Sequence, residues 1–291
     1  MPKIEETALI FEGGGMRASA TAPMVVTLIE HGIFFPHVSG ISAGSSNTVN
    51  YISRDITRSA QSWVEFVGDP NMGGMRSWLR GEGYFNSRYI YHEATEQGSS
   101  FPFDFQSFDS STTDFRIGAF RVSDGEEVYW NRASIADHKD LMLKVQASST
   151  MPGIMPFTEI DGEVYADGAL GPSGGIALDA AMQDGYKNFV VVLTRPRDYV
   201  KKAPRNPQFF RTYFRRTPHV AEGLIERPQN YNHTRQQLFE LERQGRAWIY
   251  TPETINITNH EMNVAKLKST YDAGMEQTKR LLPSLKEFLG M

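Results

Sequence analysis

Two short apolar runs near the start of the chain are each followed by a glycine-containing turn and a helix-like segment. Residues 7–11 (TALIF) predict a buried strand, and residues 16–32 predict a helix that ends at Gly32. The pattern repeats with a strand at 35–41 (FPHVSGI) and a helix at 43–55. Because parallel neighbours require a crossover connection, these two units predict an α/β fold with a mostly parallel central sheet flanked by helices.

The same alternation returns after residue 114. Residues 55–114 mix helical patches with Gly- and Ser-rich loops and predict an elaborated insertion. The pattern after residue 114 predicts a hairpin at 114–130 and strands at 163–167, 188–194 and 247–250. It predicts helices at 138–149 and 175–186 and a helical region at 208–244 that is broken near Pro228. A C-terminal helix is expected after Thr258 and Glu261, which have the spacing of a capping box. Since a strand returns so late, we expect residues 1–291 to form one domain, with 201–291 as a helical extension.

Composition excludes several kinds of site. The formal net charge is −4, so no general attraction to nucleic acid is expected. The chain has no cysteine, which excludes disulfides, thiolate metal sites and cysteine nucleophiles. The acidic N-terminal segment does not resemble a signal peptide, and no apolar run reaches the length of a membrane-spanning helix. The expectation is therefore a cytoplasmic protein that contacts membranes at most peripherally.

The pattern G-x-S-x-G occurs twice. In Gly40–Gly44 (GISAG) it lies between a predicted strand and a predicted helix, the context of a nucleophile elbow. Ser42 would then lie at a helix N-terminus, where developing negative charge is favoured. The motif alone is equally compatible with a tight turn capped by this serine. The second match, Gly171–Gly175 (GPSGG), contains a proline and follows a loop, so we interpret it as a glycine-rich turn.

The base that would activate such a serine is not an obvious histidine. None of the seven histidines lies in a glycine-flanked loop after a strand. Asp167, in contrast, ends a predicted strand immediately before Gly168. A carboxylate within about 2.6–3.2 Å of the hydroxyl could accept its proton directly. Burial would have to raise its pKa above the usual value of about 3.9. Taken alone, Asp-Gly is also an ordinary turn sequence.

Three short motifs in order resemble those of the patatin-like phospholipases: Gly13–Arg17 (GGGMR), Gly40–Gly44 (GISAG) and Asp167–Ala169 (DGA). The resemblance covers roughly residues 7–200 and implies a three-layer α/β fold and hydrolysis of phospholipid or other acyl-ester substrates, with no cofactor and no metal. It departs from the family pattern at Ala18, where glycine is usual, and after the Asp-Gly-Ala turn. The implied site residues are Ser42 (nucleophile), Asp167 (base), Gly13, Gly14, Gly15 and Met16 (oxyanion hole), and Arg17, Gly40, Gly44 and Gly168 (supporting).

The glycine loop also fits a different use. Gly13, Gly15 and Ala18 match the G-x-G-x-x-G/A fingerprint of dinucleotide-binding turns. That fingerprint requires an acidic residue at the end of the second strand to bind the ribose, and none occurs between Glu30 and Asp55. The oxyanion interpretation is therefore favoured. A catalytically silent lipid- or dinucleotide-binding α/β protein remains the alternative.

Residues 195–216 combine positive charge with aromatic side chains. The segment carries eight Lys or Arg and one Asp, with five Tyr or Phe residues among them. Such a segment is typical of peripheral contact with an anionic membrane. The competing interpretation is a solvated basic face whose aromatics pack into the core. No nucleic-acid-binding module accompanies the segment, so nucleic acid is not expected as a partner.

Overall fold

The computed structural model describes residues 3–291 and contains one mixed sheet of eight strands. The strands are β1 (Thr7–Phe11), β2 (His37–Ile41), β3 (Asp114–Arg121), β4 (Glu127–Trp130), β5 (Thr158–Ile160), β6 (Glu163–Asp167), β7 (Asn188–Val192) and β8 (Ala247–Tyr250). Their order in the sheet is β5-β6-β3-β2-β1-β7-β8, and β4 pairs with β3. Five neighbouring strands, β3, β2, β1, β7 and β8, run parallel to one another. Strands β4, β5 and β6 form an antiparallel end of the sheet.

Ten α-helices accompany these strands in the described residues. They are α1 (Ala22–Glu30), α2 (Ala43–Ile52), α3 (Ile56–Gln61), α4 (Met75–Leu79), α5 (Phe105–Ser110), α6 (His138–Ser149), α7 (Leu178–Gln183), α8 (Pro207–Tyr213), α9 (Pro218–Arg243) and α10 (Val264–Leu289). None of the helices between residues 3 and 291 combines the length and apolar character needed to cross a bilayer.

Strand β1 shows how the helices cover both faces of the sheet. Every residue of β1 is buried. Leu9 and Phe11 pack into one core with side chains of α1, α6 and α10, whereas Ala8 and Ile10 pack into a second core with α7 and α9. Full burial on both faces explains why this strand is a continuous apolar run. The predicted three-layer α/β fold is confirmed.

The position of β1 in the sheet determines where a site can form. Its two neighbours are β2 on one side and β7 on the other, both parallel to it. The chain first continues towards β2 and β3 and only later returns to β7, so the strand order reverses beside β1. In open α/β sheets, ligands bind in the crevice at the carboxyl ends of the strands at such a reversal. The loops that follow Phe11 and Val192 meet at this edge.

Several sequence predictions hold and others require correction. The insertion at 55–114 contains α3, α4 and α5, a 3₁₀ segment at Glu65–Gly68 and a π-helical turn at Tyr89–Glu93, joined by loops. The predicted first helix is divided into a 3₁₀ segment at Gly15–Ala20 and α1. Strand β5 was not predicted, because three residues are too few to show an alternating pattern.

Two predictions about the C-terminal helices are wrong. Helix α9 continues through Pro228, and the break in this region lies instead at residues 214–217. The buried side chains on both sides of Pro228 hold the helix despite a local cost of about 3 kcal/mol. The capping box is absent: Asn263 caps α10 by accepting the Lys266 amide at 3.1 Å. Glu261 accepts the amides of its next two residues instead.

Candidate active site

Ser42 lies at the junction of β2 and α2 in a backbone conformation that only glycine adopts easily. Its φ is 58° and its ψ is −128°. A Cβ on Gly40 would lie 2.2 Å from the Gly44 carbonyl oxygen, and one on Gly44 would lie 2.2 Å from the Phe11 carbonyl oxygen. Both glycines are therefore required for the sharp turn. Backbone strain of this kind concentrates at functional sites.

The Ser42 hydroxyl and the Asp167 carboxylate are in direct contact. Ser42 Oγ donates a hydrogen bond of 2.7 Å to Asp167 Oδ2, although the two residues are far apart in sequence. The second oxygen, Oδ1, accepts the Ala169 amide at 2.9 Å, which fixes the carboxylate. Gly168 permits this approach, because a Cβ there would lie 2.6 Å from the Gly118 carbonyl oxygen. The hydroxyl thus meets a carboxylate rather than an imidazole.

The surroundings of Asp167 adjust its basicity. Burial raises the pKa of the carboxyl group above its usual value. The positive charge of Arg227, the hydrogen bonds from Ser42 and the Ala169 amide, and the charge of Lys201 oppose that increase. Because burial is the largest effect, the carboxylate is a better proton acceptor than an exposed aspartate. This is the burial that the sequence argument required.

Ser148, which the sequence analysis did not single out, supports the strained turn. Its hydroxyl accepts the Ser42 backbone amide at 2.8 Å and donates to the Gly118 carbonyl at 2.6 Å. The side chain is fully buried at the end of α6. It therefore links the turn to strand β3 and holds the Ser42 backbone in place. A serine at the end of a predicted helix carries no local signal for such a role.

The glycine loop after β1 offers fewer free amides than the sequence suggests. The Gly13 amide donates to the Gly175 carbonyl and the Met16 amide to the Asn259 carbonyl, both at 3.1 Å. Neither is available as the oxyanion donor that the sequence predicts. No hydrogen bond within residues 3–291 uses the amides of Gly14 and Gly15. Within the loop from Gly13 to Met16, the amides of Gly14 and Gly15 are therefore the ones without a partner in the described residues.

Gly15 shows why the loop needs glycine. Its φ is +55°, and a Cβ would lie 2.2 Å from the Asn259 carbonyl oxygen. The segment around Asn259 belongs to the C-terminal part of the chain, so distant residues shape the loop. Gly15 and Ser42 both line one pocket, so this part of the loop lies at the same cavity as the serine.

This cavity is predominantly apolar and extends from Ser42 into the protein between α2 and α6. Much of its wall comes from the 55–114 insertion, whose contributing side chains include Trp63, Phe66, Met72, Phe85, Ile90 and Phe101. Helix α6 adds Met142 and Val145. No sequence motif marks these residues, although the density of aromatic and methionine side chains in the insertion indicates an apolar site. The cavity has the character of a site for an acyl chain.

Arg17, the last residue of the first motif, does not line this cavity. Its side chain is 5% exposed, and its Nε has no hydrogen-bond partner in the described part of the chain. Burial and the neighbouring charge of Arg195 lower the pKa of this guanidinium to about 10.

Among residues 3–291, no group of three or more His, Asp or Glu side chains converges to hold a metal ion.

The family model for patatin-like phospholipases matches residues 9–180, which include the three motifs and most of the cavity. The chain belongs to the patatin-like phospholipase family. This confirms the resemblance seen in the sequence and makes the protein a member of a family of lipid acyl hydrolases, whose substrates are acyl esters of lipids. A second model, a domain of unknown function (DUF6363), matches residues 217–290 of this patatin-like chain.

A solved structure resembles the patatin-like chain over most of its length. The match is to VipD from Legionella pneumophila, with a TM-score of 0.53 and 11% sequence identity. It covers 97% of this chain and 67% of VipD. At this identity the likeness shows a shared fold. No curated protein matches the chain in sequence.

Proposed function

We propose that this protein is a serine lipid acyl hydrolase of the phospholipase A, lysophospholipase or esterase type, with Ser42 as nucleophile and Asp167 as base. The observation that carries the proposal is the 2.7 Å hydrogen bond from Ser42 Oγ to Asp167 Oδ2. It joins a strained serine to a buried carboxylate at the mouth of an apolar cavity. Family membership supports lipid hydrolysis as the general reaction, and this contact supports the assignment of Ser42 as nucleophile and Asp167 as base.

The proposed reaction has two steps. Ser42 Oγ attacks the ester carbonyl carbon while Asp167 accepts its proton, and the resulting oxyanion is held by the amides of Gly14 and Gly15. Collapse breaks the bond to the alcohol, which leaves with the proton from Asp167. Water then attacks the acyl-enzyme by the same route and releases a fatty acid. One oxyanion donor contributes about 2.7–4 kcal/mol to such a step.

A direct experiment tests this proposal on the intact chain. Incubation with phosphatidylcholine vesicles should release fatty acid, and a fluorophosphonate should label one site that peptide mass spectrometry assigns to Ser42. Vesicle binding without release or label would instead support the silent lipid-binding alternative. A rise in melting temperature with NAD or NADP, again without label, would support the dinucleotide-binding alternative.

We also propose that the protein contacts an anionic membrane through the basic and aromatic segment 195–216, together with helix α4. The apolar part of this surface, which we call the apolar rim, is Phe209 and Tyr213 on α8 and Met75, Trp78 and Leu79 on α4. All five side chains are exposed. The two helices flank residues 153–154: Tyr213 lies 3.8 Å from where a Gly153 Cβ would be, and Ile154 shares a groove with Met75 and Trp78. The neighbouring residues Met151 and Met155 line the cavity beside Ser42.

Replacing Leu79 by aspartate tests the rim. Leu79 is 74% exposed, so Leu79→Asp should leave the fold and hydrolysis of a water-soluble p-nitrophenyl ester intact. Hydrolysis of anionic vesicles should fall at least about tenfold, because transferring a leucine into lipid contributes about 1.5–3 kcal/mol. Met182→Asp, at another exposed apolar residue on α7, is the matched control and should retain vesicle hydrolysis. Equal losses in both variants would contradict a specific rim.

For the domain organisation, we propose that the chain forms one domain with residues 201–291 as an integral part. Strand β8 pairs in parallel with β7, from Phe189 beside Ala247 to Val192 beside Tyr250. Helix α10 places Leu285 and Leu289 in the same core as β1. The region that matches the domain of unknown function therefore shares the sheet and the core with the region that matches the patatin model.

A further inference from the structure

Four basic side chains gather at the edge of the sheet beside the proposed dyad. Arg17 follows the glycine loop, Arg195 and Lys201 lie in the loop after β7, and Arg227 lies on α9. The charges of Arg195 and Arg227 act on Arg17, and those of Arg227, Arg17 and Arg195 act on Lys201. We call these four residues the cation cluster. It lies where the strand order reverses next to β1.

Among the described residues, no ion pair or hydrogen bond joins a guanidinium group of the cation cluster to a carboxylate. The Nε atoms of Arg17, Arg195 and Arg227 are buried and have no hydrogen-bond partner among the described residues. The carboxylate that acts on the cluster belongs to Glu12, and one of its oxygens already accepts the Thr194 amide at 2.5 Å. Buried charged groups are normally paired, so this arrangement leaves binding capacity for an anion.

Two tyrosines hold part of the cation cluster in position. Lys201 Nζ lies 4.6 Å from the ring centre of Tyr231, and the Arg195 guanidinium lies 4.4 Å from that of Tyr199. The two rings meet edge to face, with centres 6.1 Å apart. Cation–π contacts of this kind fix basic side chains without neutralising them. Lys201 and Arg195 are therefore held in position before any ligand binds.

The positive charges of the cluster repel one another. Burial and the charge of Arg227 lower the pKa of Lys201 to about 7, and Arg17 and Arg195 contribute in the same direction. A bound anion would relieve this repulsion. Arg195, Lys201 and Arg227 are only partly buried, so an ion or head group from solvent can reach them.

We propose that Arg17, Arg195, Lys201 and Arg227 bind a phosphate group. Guanidinium groups pair with phosphate oxygens in a bidentate manner, and several positive charges suit an anion that carries up to two negative charges. This inference rests on the proposed function: with the acyl chain in the apolar cavity, the phosphate is that of the lipid head group. Free inorganic phosphate is the other source of the same chemistry.

The position of the cation cluster fits a head group. Gly15 and Met16 line the acyl cavity, whereas the next residue, Arg17, belongs to the cluster. Arg227 and Lys201 also act on Asp167, so the cluster lies next to the dyad. None of the four cluster residues lines the acyl cavity, so an ester bound at Ser42 could place its acyl chain and its head group in different surroundings.

Paired substrates test the head-group assignment. The wild type should hydrolyse 1-oleoylglycerol 3-phosphate with a kcat/KM more than about tenfold above that for 1-oleoylglycerol, mainly through a lower KM. Arg195→Gln and Lys201→Gln should each reduce this ratio severalfold, and Arg195→Lys should retain part of it. Arg197→Gln is the matched control, since this exposed guanidinium in the same loop pairs with Glu242. Its ratio should equal that of the wild type.

A binding experiment separates this inference from the proposed function. Inorganic phosphate, compared with chloride at equal ionic strength, should raise the melting temperature of the wild type and of Ser42→Ala, but not of Arg195→Gln. A rise in melting temperature without a preference for the phosphate-bearing substrate supports a phosphate site and assigns it to free phosphate. If no ester is hydrolysed but the shift persists, the proposed function fails and the phosphate site stands. Absence of both shift and preference overturns the inference, provided the variants melt cooperatively in chloride.

Discussion

Ser42→Ala should lower kcat/KM for an acyl ester by roughly 10⁴-fold or more, because loss of a nucleophile that acts as a unit with its base removes the covalent route. Fluorophosphonate labelling should disappear with it. The fold should persist, since the hydroxyl makes one hydrogen bond, to Asp167. The measurement is the hydrolysis of a p-nitrophenyl acyl ester, together with intact-protein mass after labelling.

The chain supplies a matched control in its second G-x-S-x-G sequence. Ser173 is buried, donates its hydroxyl to Glu127 and accepts the Gly175 amide. Its hydrogen bonds are those of a glycine-rich turn, as the sequence indicates, so Ser173→Ala should retain the fluorophosphonate label. Ester hydrolysis that survives in Ser42→Ala, or a label lost only in Ser173→Ala, would contradict the assignment.

Asp167→Asn should lower kcat by about 10²–10⁴-fold, because an amide cannot accept the Ser42 proton. The wild-type rate should also fall as the pH drops through the pKa of Asp167, since the base must be ionised. Burial raises this pKa, so the pH at which the rate falls on the acidic side of the pH–rate profile (the acidic limb) should lie above the usual pKa range of aspartate. A plot of kcat/KM against pH for the uncharged p-nitrophenyl ester measures the limb.

The charge of Arg227 should affect the pH at which the acidic limb lies. Its positive charge favours ionised Asp167 and therefore lowers the pKa. Arg227→Gln removes that charge, so the acidic limb should move to higher pH. Arg243→Gln, at the exposed end of the same helix, is the control and should leave the limb in place. Movement of the Arg227→Gln limb to lower pH would contradict the assignment of Asp167 as base.

The sequence predicts those parts of the site that depend on local structure. Gly40, Ser42 and Gly44 could be assigned because a strand, a sharp turn and a helix follow one another within a few residues. Asp167 could be assigned because it ends a strand before a glycine. In both cases the residue types that permit the turn are adjacent in the sequence, and the family motifs report the same constraint.

The remaining parts depend on contacts between distant segments. Met16 was predicted as an oxyanion donor, but its amide bonds to Asn259, which nothing near Met16 in sequence indicates. Much of the wall of the apolar cavity comes from the irregular insertion, where the lining residues lie in loops and short helical turns rather than in a long helix or strand. Pro228 shows the reverse error: a local rule predicts a break, whereas tertiary packing maintains the helix.

The central place of β1 also has a consequence for biosynthesis. Strand β1 is synthesised before the other strands of the sheet, and one of its two neighbours, β7, begins only at Asn188. At usual translation rates the edge that β7 covers stays open for roughly 10–40 s. An uncovered apolar strand is prone to associate with other chains. Nascent copies of this enzyme should therefore depend on chaperones until the seventh strand is made.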